Sequence, residues 1–329
     1  MPRSKAPEPH RRGPLPLPDH IGEALLVVDA TPVNLTHLQK ALFPSGLRKR
    51  DLLDYNHDVA DFLLPYLRDR PYTMLRYPDG IDAPPFFQKD AGRVPAYVRT
   101  VAVPSANPRG TVRYVLCDDA PTLLYLVNAG CIDHHVWMSR AATPLAPDFV
   151  LLDLDPGPAA PFAAVVRVAQ AVRHVLEACE LAACLKTSGA TGLHVFIPIA
   201  PGHTFEQSQQ FAALILRLAA ARVPELATEV WPLEQRPPDR VYLDFRQNAR
   251  GKTVPPPYSP RPRPGAPVSC PLRWSELRPS LDPARFTFAA LRRRLDRYGD
   301  LFAVARPGAP RDPLAPMLAR VARVAEATR

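Results

Sequence analysis

From Asp148 onward the chain alternates between two hydrophobic periods in a set order, and that order restricts the folds open to it. DFVLLDLD has the two-residue period of a strand, and PFAAVVRVAQAVRHVLEAC has that of a helix. AACLKTSG and LHVFIPI are two further strands, FEQSQQFAALILRLAAARV is a second helix, and RVYLDF is another strand. Strands and helices mixed at this density predict a sheet with helices packed on it, of α/β or α+β class, and leave strand direction open. Upstream, Leu52, Tyr55, Val59, Phe62 and Leu63 fall at helical spacing, which predicts one amphipathic helix from Leu52 to Leu67, stopped by Pro71. YTMLRY, AYVRTVAV and VRYVLC predict strands, and DDAPTLLYLVNA has the acidic, proline-bearing start of a helix. After Gly251 the segment TVPPPYSPRPRPGAPVSCPL holds too much proline for anything but an extended loop or edge segment. Helices are predicted around Phe288 to Tyr298 and Pro313 to Ala327.

Composition narrows the partners. Of 329 residues 47% are hydrophobic, enough for a sizeable core in one large domain or two modest ones. Lys plus Arg total 41 against 32 Asp plus Glu, and this net charge of +9 favours polyanionic partners without proving nucleic-acid binding. The five cysteines form no CxxC pair and are odd in number, against both a zinc knuckle and a disulfide framework, so reduced thiols in a cytoplasmic, nucleoid-associated protein are expected. No apolar run approaches the roughly 18 residues of a membrane helix, and no membrane partner is expected. Residues 1–22 are basic and punctuated by proline, and predict a flexible arm.

In DFVLLDLDPGP the alternation puts Asp153 and Asp155 on one face of a strand that ends at Pro156 and Gly157. Their separation of about 7 Å, two strand rises, suits carboxylates that share two divalent ions in phosphoryl transfer. Acidic residues at a strand end also serve as solvated turn formers, and the motif alone does not choose. Lys186-Thr187-Ser188-Gly189-Ala190-Thr191-Gly192-Leu193-His194 joins hydroxyls, glycines and a histidine at a turn suited to bringing backbone N–H groups against phosphates, or makes an ordinary glycine hairpin. Asp244 closes RVYLDF, and it adds a third carboxylate if that strand neighbours the first. Beyond it Gln247, Asn248, Arg250, Lys252, Thr253 and Arg261 offer donors and positive charge to an anion. No GxxxxGK[ST] occurs, against a helicase-type ATPase.

DFVLLDLDPGP, KTSGATGLHVFIPI and YLDFRQNARGKTVPPPYSPRPRPGAPVSCPLRW resemble, in order and spacing, three sequence blocks of the polymerase domain of bacterial ATP-dependent DNA ligase D, in the archaeo-eukaryotic primase superfamily. LTHLQKALFPSGLRKRDLLDY, RYPDGIDAPPFFQKD and NAGCIDHHVWMSR extend the resemblance, which covers about Leu35 to Leu277. It implies a mixed α+β fold of primase-polymerase type, with central sheets carrying the carboxylates, a catalytic domain over 23–300 and a C-terminal helical segment, 301–329, packed on it. Asp153, Asp155 and Asp244 look like the family's metal-binding carboxylates, holding two Mn²⁺ or Mg²⁺ ions. Ser188 and His194 match positions that hold the triphosphate of the incoming nucleotide, His135 a nucleotide-site histidine, and Arg261 a nucleotide-contacting arginine; Gln247 and Lys252 lie in the same block. Lys40 and Lys49 fall where relatives grip the 5′-phosphate of a DNA end, and Phe86 and Phe87 where they stack on template bases.

Two departures stand out: His37 replaces an asparagine common beside the phosphate lysine, and VWMSR replaces PWGSR after His135. From the residues alone, Lys49 is also readable as one of a surface cluster with Arg48 and Arg50, and the two phenylalanines as core. The implied activity is nucleotide addition to DNA 3′ ends, ribonucleotides preferred, at gaps or breaks. The implied partners are DNA ends or gapped DNA with a 5′-phosphate, a Ku-like end-binding protein and a separate DNA ligase, since the chain reads as a stand-alone polymerase. The competing readings are a catalytically inactive DNA-end binding module and a two-metal phosphodiesterase or nuclease.

Overall fold

The computed structural model describes residues 8–104 and 110–327; the first seven residues of the expected arm, and the last two of the chain, lie outside them. In its first half the chain runs through β1 (Ala24–Val28), β2 (Thr31–Leu35), α1 (Lys49–Asp58), α2 (Ala60–Leu67), β3 (Pro71–Arg76), β4 (Phe86–Gln88), β5 (Thr100–Pro104), β6 (Thr111–Leu116), α3 (Ala120–Asn128) and β7 (Cys131–Trp137). There follow β8 (Ser139–Arg140), β9 (Thr143–Pro147), β10 (Phe149–Pro156), α4 (Phe162–Ala178), β11 (Cys184–Thr187), β12 (Leu193–Pro198) and α5 (Phe205–Ala220). The last elements are β13 (Ala227–Thr228), β14 (Val241–Asp244), β15 (Thr253–Val254), β16 (Pro271–Leu272), α6 (Phe288–Tyr298) and α7 (Leu314–Ala327).

The expected mixed class is borne out, with mostly antiparallel strands. One six-stranded sheet has the order β13-β14-β10-β12-β11-β16, and only its β13-β14 pair is parallel. The second runs β15-β7-β3-β6-β5, with β4 added on β3. Local chemistry sets the helix ends. Asp119 caps α3 by accepting from Thr122 N at 2.8 Å, and Thr204 and Gln207 make a reciprocal capping box at the start of α5. Helices α4 and α5 pack against each other and against β10, and Val150, Leu152 and Leu154 of that strand are wholly buried. Asp148, just ahead of β10, is itself buried in a ring of arginines: Arg70 at 2.7 Å, Arg140 at 2.9 Å and Arg311 at 3.2 Å. Burial alone would raise its carboxyl, but the three positive charges outweigh it and hold it at about 2.

Three expectations need correction. The single amphipathic helix over Leu52 to Leu67 is two helices, parted where Val59 leaves helical geometry (φ −97°, ψ 7°), and most residues of both are buried because they lie within the molecule. Of AYVRTVAV, only Thr100 to Val103 is strand, in β5, which ends one residue later at Pro104. The arm, from Glu8 on, is tied down. Arg11 bonds Asp58 and Asp296, Arg12 bonds Asp29 and Asp61, Gly13 N donates to Asp58 at 2.9 Å, and Leu15 enters the core. Its arginines find the carboxylates of α1 and α2, a long-range pairing that the composition of the arm does not reveal. No helix among the described residues is long and apolar enough to cross a membrane.

Candidate active site

Strand β10 is the axis of the site. Its Asp153 faces Asp244 across the β14 pairing and His194 across the β12 pairing, and Lys186 of β11 in turn faces His194. Directly opposed residues share a face about 5 Å apart, so Asp244, Asp153, His194 and Lys186 form one row across four strands. Asp155, two residues beyond Asp153, joins them on that face. Three carboxylates that the sequence scatters over some ninety positions therefore meet at the end of one sheet.

The electrostatics are those of crowded anions. Burial and the charge of Asp244 push the Asp153 carboxyl up to about 7. The charge of Asp153, then burial and Asp244, push Asp155 up to about 8. His194 Nε2 stands 3.3 Å from Asp153 Oδ1, yet off a hydrogen-bonding line, so that buried oxygen has no hydrogen-bond partner. A buried carboxylate oxygen without a donor, beside two more carboxylates, fits a divalent cation as its missing partner. Among the described residues, though, no group of three or more His, Cys, Asp or Glu side chains is disposed to hold a metal ion as it stands. The residues fit the group in chemistry and placement, as an acidic cluster and not a finished cage.

The loop between β11 and β12 needs its glycines. A Cβ on Gly192 would run into the carbonyl oxygen of Leu154, and Gly189 has φ +75° beneath the side chain of Arg261. Ser188 Oγ accepts from Ala190 N at 3.1 Å and Gly192 N at 3.0 Å. Those two N–H groups are therefore engaged within the turn, unlike the open cradle the glycines predict, and the Ser188 hydroxyl keeps its own proton to donate.

A second cluster comes from the other sheet. On β7, Asp133 and His135 are two residues apart; Asp133 Oδ2 lies 3.1 Å from His135 Nε2 and 3.4 Å from a guanidinium nitrogen of Arg261. Nε and Nη1 of Arg261 are buried without partners, and its charge acts on Asp153, Asp155, Lys186 and His194 alike. Arg261 thus bridges the clusters and holds two donors in reserve for an anion. Of the two adjacent histidines, His134 is spent in the core on Tyr72 and on Asn56, while the Phe87 ring meets His135 edge-on at 6.3 Å. Gln247 is half-buried and Lys252 exposed in the turn after Asp244. Asn248 does not belong with them: wholly buried, it bonds the backbone N–H and carbonyl of Leu151, bracing β10.

The residues matched to the DNA end lie elsewhere, Lys40 in the loop before α1, Lys49 at the start of α1, and Phe86 and Phe87 on β4 of the second sheet. His37, Lys40, Lys49, Arg76 and Asn128 line a cavity of about 230 Å³. Lys49 is buried, and burial, with Lys40 and Arg76, lowers its ammonium to about 8. It is no member of a surface cluster: Arg48 turns to Asp19 and Asp51, and Arg50 to the carbonyls of Leu17 and Pro18. Lys40 pairs with Asp79 at 2.7 Å. Phe86 and Phe87 are exposed on β4, not core, with the Arg76 guanidinium 5.1 Å from the Phe86 ring. Of the departures, His37 has φ 56°, in the left-handed region, and Val136, on the opposite face of β7 from His135, and Met138, just past the end of that strand, are core residues. Sequence reasoning missed Asp133 and the contacts of Lys186 and Ser269. The first was open to view, since a carboxylate two residues before a strand histidine shares its face.

A sequence profile of the family described as the LigD primase-polymerase domain matches residues 48–302. The chain is 32% identical over 270 residues to the bifunctional non-homologous end joining protein LigD of Bacillus subtilis, covering 81% of this chain and 43% of that protein. It is 33% identical over 267 residues to the multifunctional LigD of Pseudomonas aeruginosa, covering 80% and 31%. It thus spans less than half the length of these curated relatives. Among solved structures it is similar to the polymerase domain of Mycobacterium tuberculosis ligase D in complex with DNA, with TM-score 0.77 and 30% identity over 84% of this chain and 99% of that one.

Proposed function

The chain belongs to the LigD primase-polymerase family, a family of nucleotidyltransferases, and from that premise we propose that it adds nucleotides to DNA 3′ ends in gap filling or double-strand-break end joining. The observation that carries this reading is the meeting of Asp153, Asp155 and Asp244 on one face of the first sheet. Beside them lies an arginine with two unpartnered buried donors. Two divalent ions, Mn²⁺ or Mg²⁺, held by the three carboxylates would stabilise the negative charge that develops in phosphoryl transfer. Ser188, His194 and Arg261 receive the triphosphate, and His135, Gln247 and Lys252 complete the nucleotide site. Fixed donors of this kind act by positioning and by electrostatic preorganisation.

DNA as the partner is supported by the relative solved with DNA. Lys40 and Lys49 take the 5′-phosphate of the downstream strand, and Phe86 and Phe87 stack on template bases. The 2′-hydroxyl preference, a Ku-like partner and a separate ligase complete the reading.

The test is extension of a labelled primer on gapped DNA with Mn²⁺ or Mg²⁺, supplied with ribonucleotides or deoxyribonucleotides. The expected product is longer, more so with ribonucleotides. Asp153→Ala with Asp155→Ala should abolish extension and leave DNA binding in place, because the basic side chains are untouched. Unchanged DNA from the wild-type chain would mark an inactive end-binding module, and shortened DNA a nuclease.

A further inference from the structure

A lysine amine with no exposed surface beneath a nucleotide site is costly to hold there unless its hydrogen bonds are made. Lys186 makes two. Its Nζ lies 2.8 Å from His194 Nδ1 and 2.6 Å from Ser269 Oγ. Ser269 donates its own proton to the Thr187 carbonyl at 3.0 Å, so its oxygen is left to accept from the amine. Protonated or not, Lys186 has an N–H for each neighbour. A ring nitrogen that accepts carries no proton, which leaves the proton of a neutral imidazole on Nε2. That nitrogen is the one turned toward the carboxylates, 3.3 Å from Asp153 Oδ1.

We propose that Lys186, held by Ser269, is a positioning residue that fixes His194 in the Nε2–H tautomer, so that the ring offers the incoming triphosphate a donor and not a repelling lone pair. The proposal deepens the reading above and rests on His194 as a triphosphate contact. Lys186 acts through the ring and touches no substrate itself. The strand pairing supplies the alignment, since Lys186 and His194 are register partners on β11 and β12, and Ser269 reaches Lys186 from the segment just before β16.

The test reads the tautomer directly, by ¹⁵N-resolved NMR of His194 in the full chain, alongside KM and kcat for nucleotide. In the wild type, Nε2 should carry the proton and Nδ1 should be bare. Lys186→Met should move proton population to Nδ1 and raise KM for nucleotide about tenfold or more, the size expected for a lost hydrogen bond to a charged ligand, with a smaller change in kcat and none in DNA affinity. Ser269→Ala, which keeps the lysine but frees its Nζ, should shift both in the same direction by less. A wild-type ring protonated on Nδ1, or a Lys186→Met chain with unaltered tautomer and KM, overturns the proposal. If Lys186→Met fails to fold, the wild-type spectrum and Ser269→Ala still decide. The wild-type spectrum also answers whether or not the chain polymerises, so failure of the polymerase reading is distinguishable from failure of this one.

Discussion

Single residues divide here by what surrounds them and not by type. Lys40 is exposed and paired with Asp79, Lys49 is buried and pushed down to about 8, and Lys186 is wholly buried against His194. The first two line one cavity with His37 and Arg76, so removing either should loosen the hold on a terminal phosphate. Lys49→Ala is expected to erase the preference for a downstream 5′-phosphate, leaving gap filling equal on phosphorylated and hydroxyl ends when the two are compared side by side. Retained preference in that variant removes the assigned role. Arg11 makes a structural counterpart. It joins the buried Asp58 to Asp296 of α6, and Arg292 and Gly13 N share that carboxylate. Because Asp58 keeps two partners, Arg11→Met should cost only about 1 kcal/mol in urea unfolding, with primer extension unchanged.

Among the elements, β10 decides the most, for it carries two of the three carboxylates and is pinned at both ends. At its far end Gly192 packs where a Cβ would meet the Leu154 carbonyl. Gly192→Ala should therefore force β12 away from β10, costing about 1–3 kcal/mol, and depress nucleotide addition more than DNA binding. At its near end the buried Asp148 is held at about 2 by burial offset by Arg70, Arg140 and Arg311. A carboxyl lower in the folded than in the unfolded chain contributes stability that is present above its ordinary value near 4, and that is lost as pH falls toward 2. Asp148→Asn should thus cost about 3 kcal/mol at neutral pH, the scale of a broken buried pair. The gap between wild type and variant should close between pH 4 and pH 2 in denaturant melts, and a constant gap would contradict the assignment.

At the scale of the whole molecule, both sheets contribute to the site. The first brings Asp153, Asp155, Asp244 and His194, the second brings Asp133 and His135, and Arg261 links them from the proline-rich segment between β15 and β16. That segment was legible only as extended chain; its use as a bridge depends on where the sheets lie. The cavity of Lys40 and Lys49 takes Arg76 from the second sheet and its other walls from the loop before α1, from α1 and from the end of α3, while the exposed Phe86 and Phe87 lie on β4 of that sheet, so the proposed DNA-end and nucleotide sites draw on different elements of one body.

The alternation of DFVLLDLD put two aspartates on one face, the period of PFAAVVRVAQAV made a helix, and the order of six blocks specified the family, because such signals are local or linear. Proximity between distant segments is neither. That β14 lies beside β10 in a register opposing Asp244 to Asp153, that Lys186 spends its amine on His194, that Asn248 braces a strand, and that the arm is clamped by Asp58 were settled by antiparallel pairing and by buried polar groups finding partners. Those pairings form only once the core has closed, so the carboxylates could be named from the chain, but their meeting was decided by the fold.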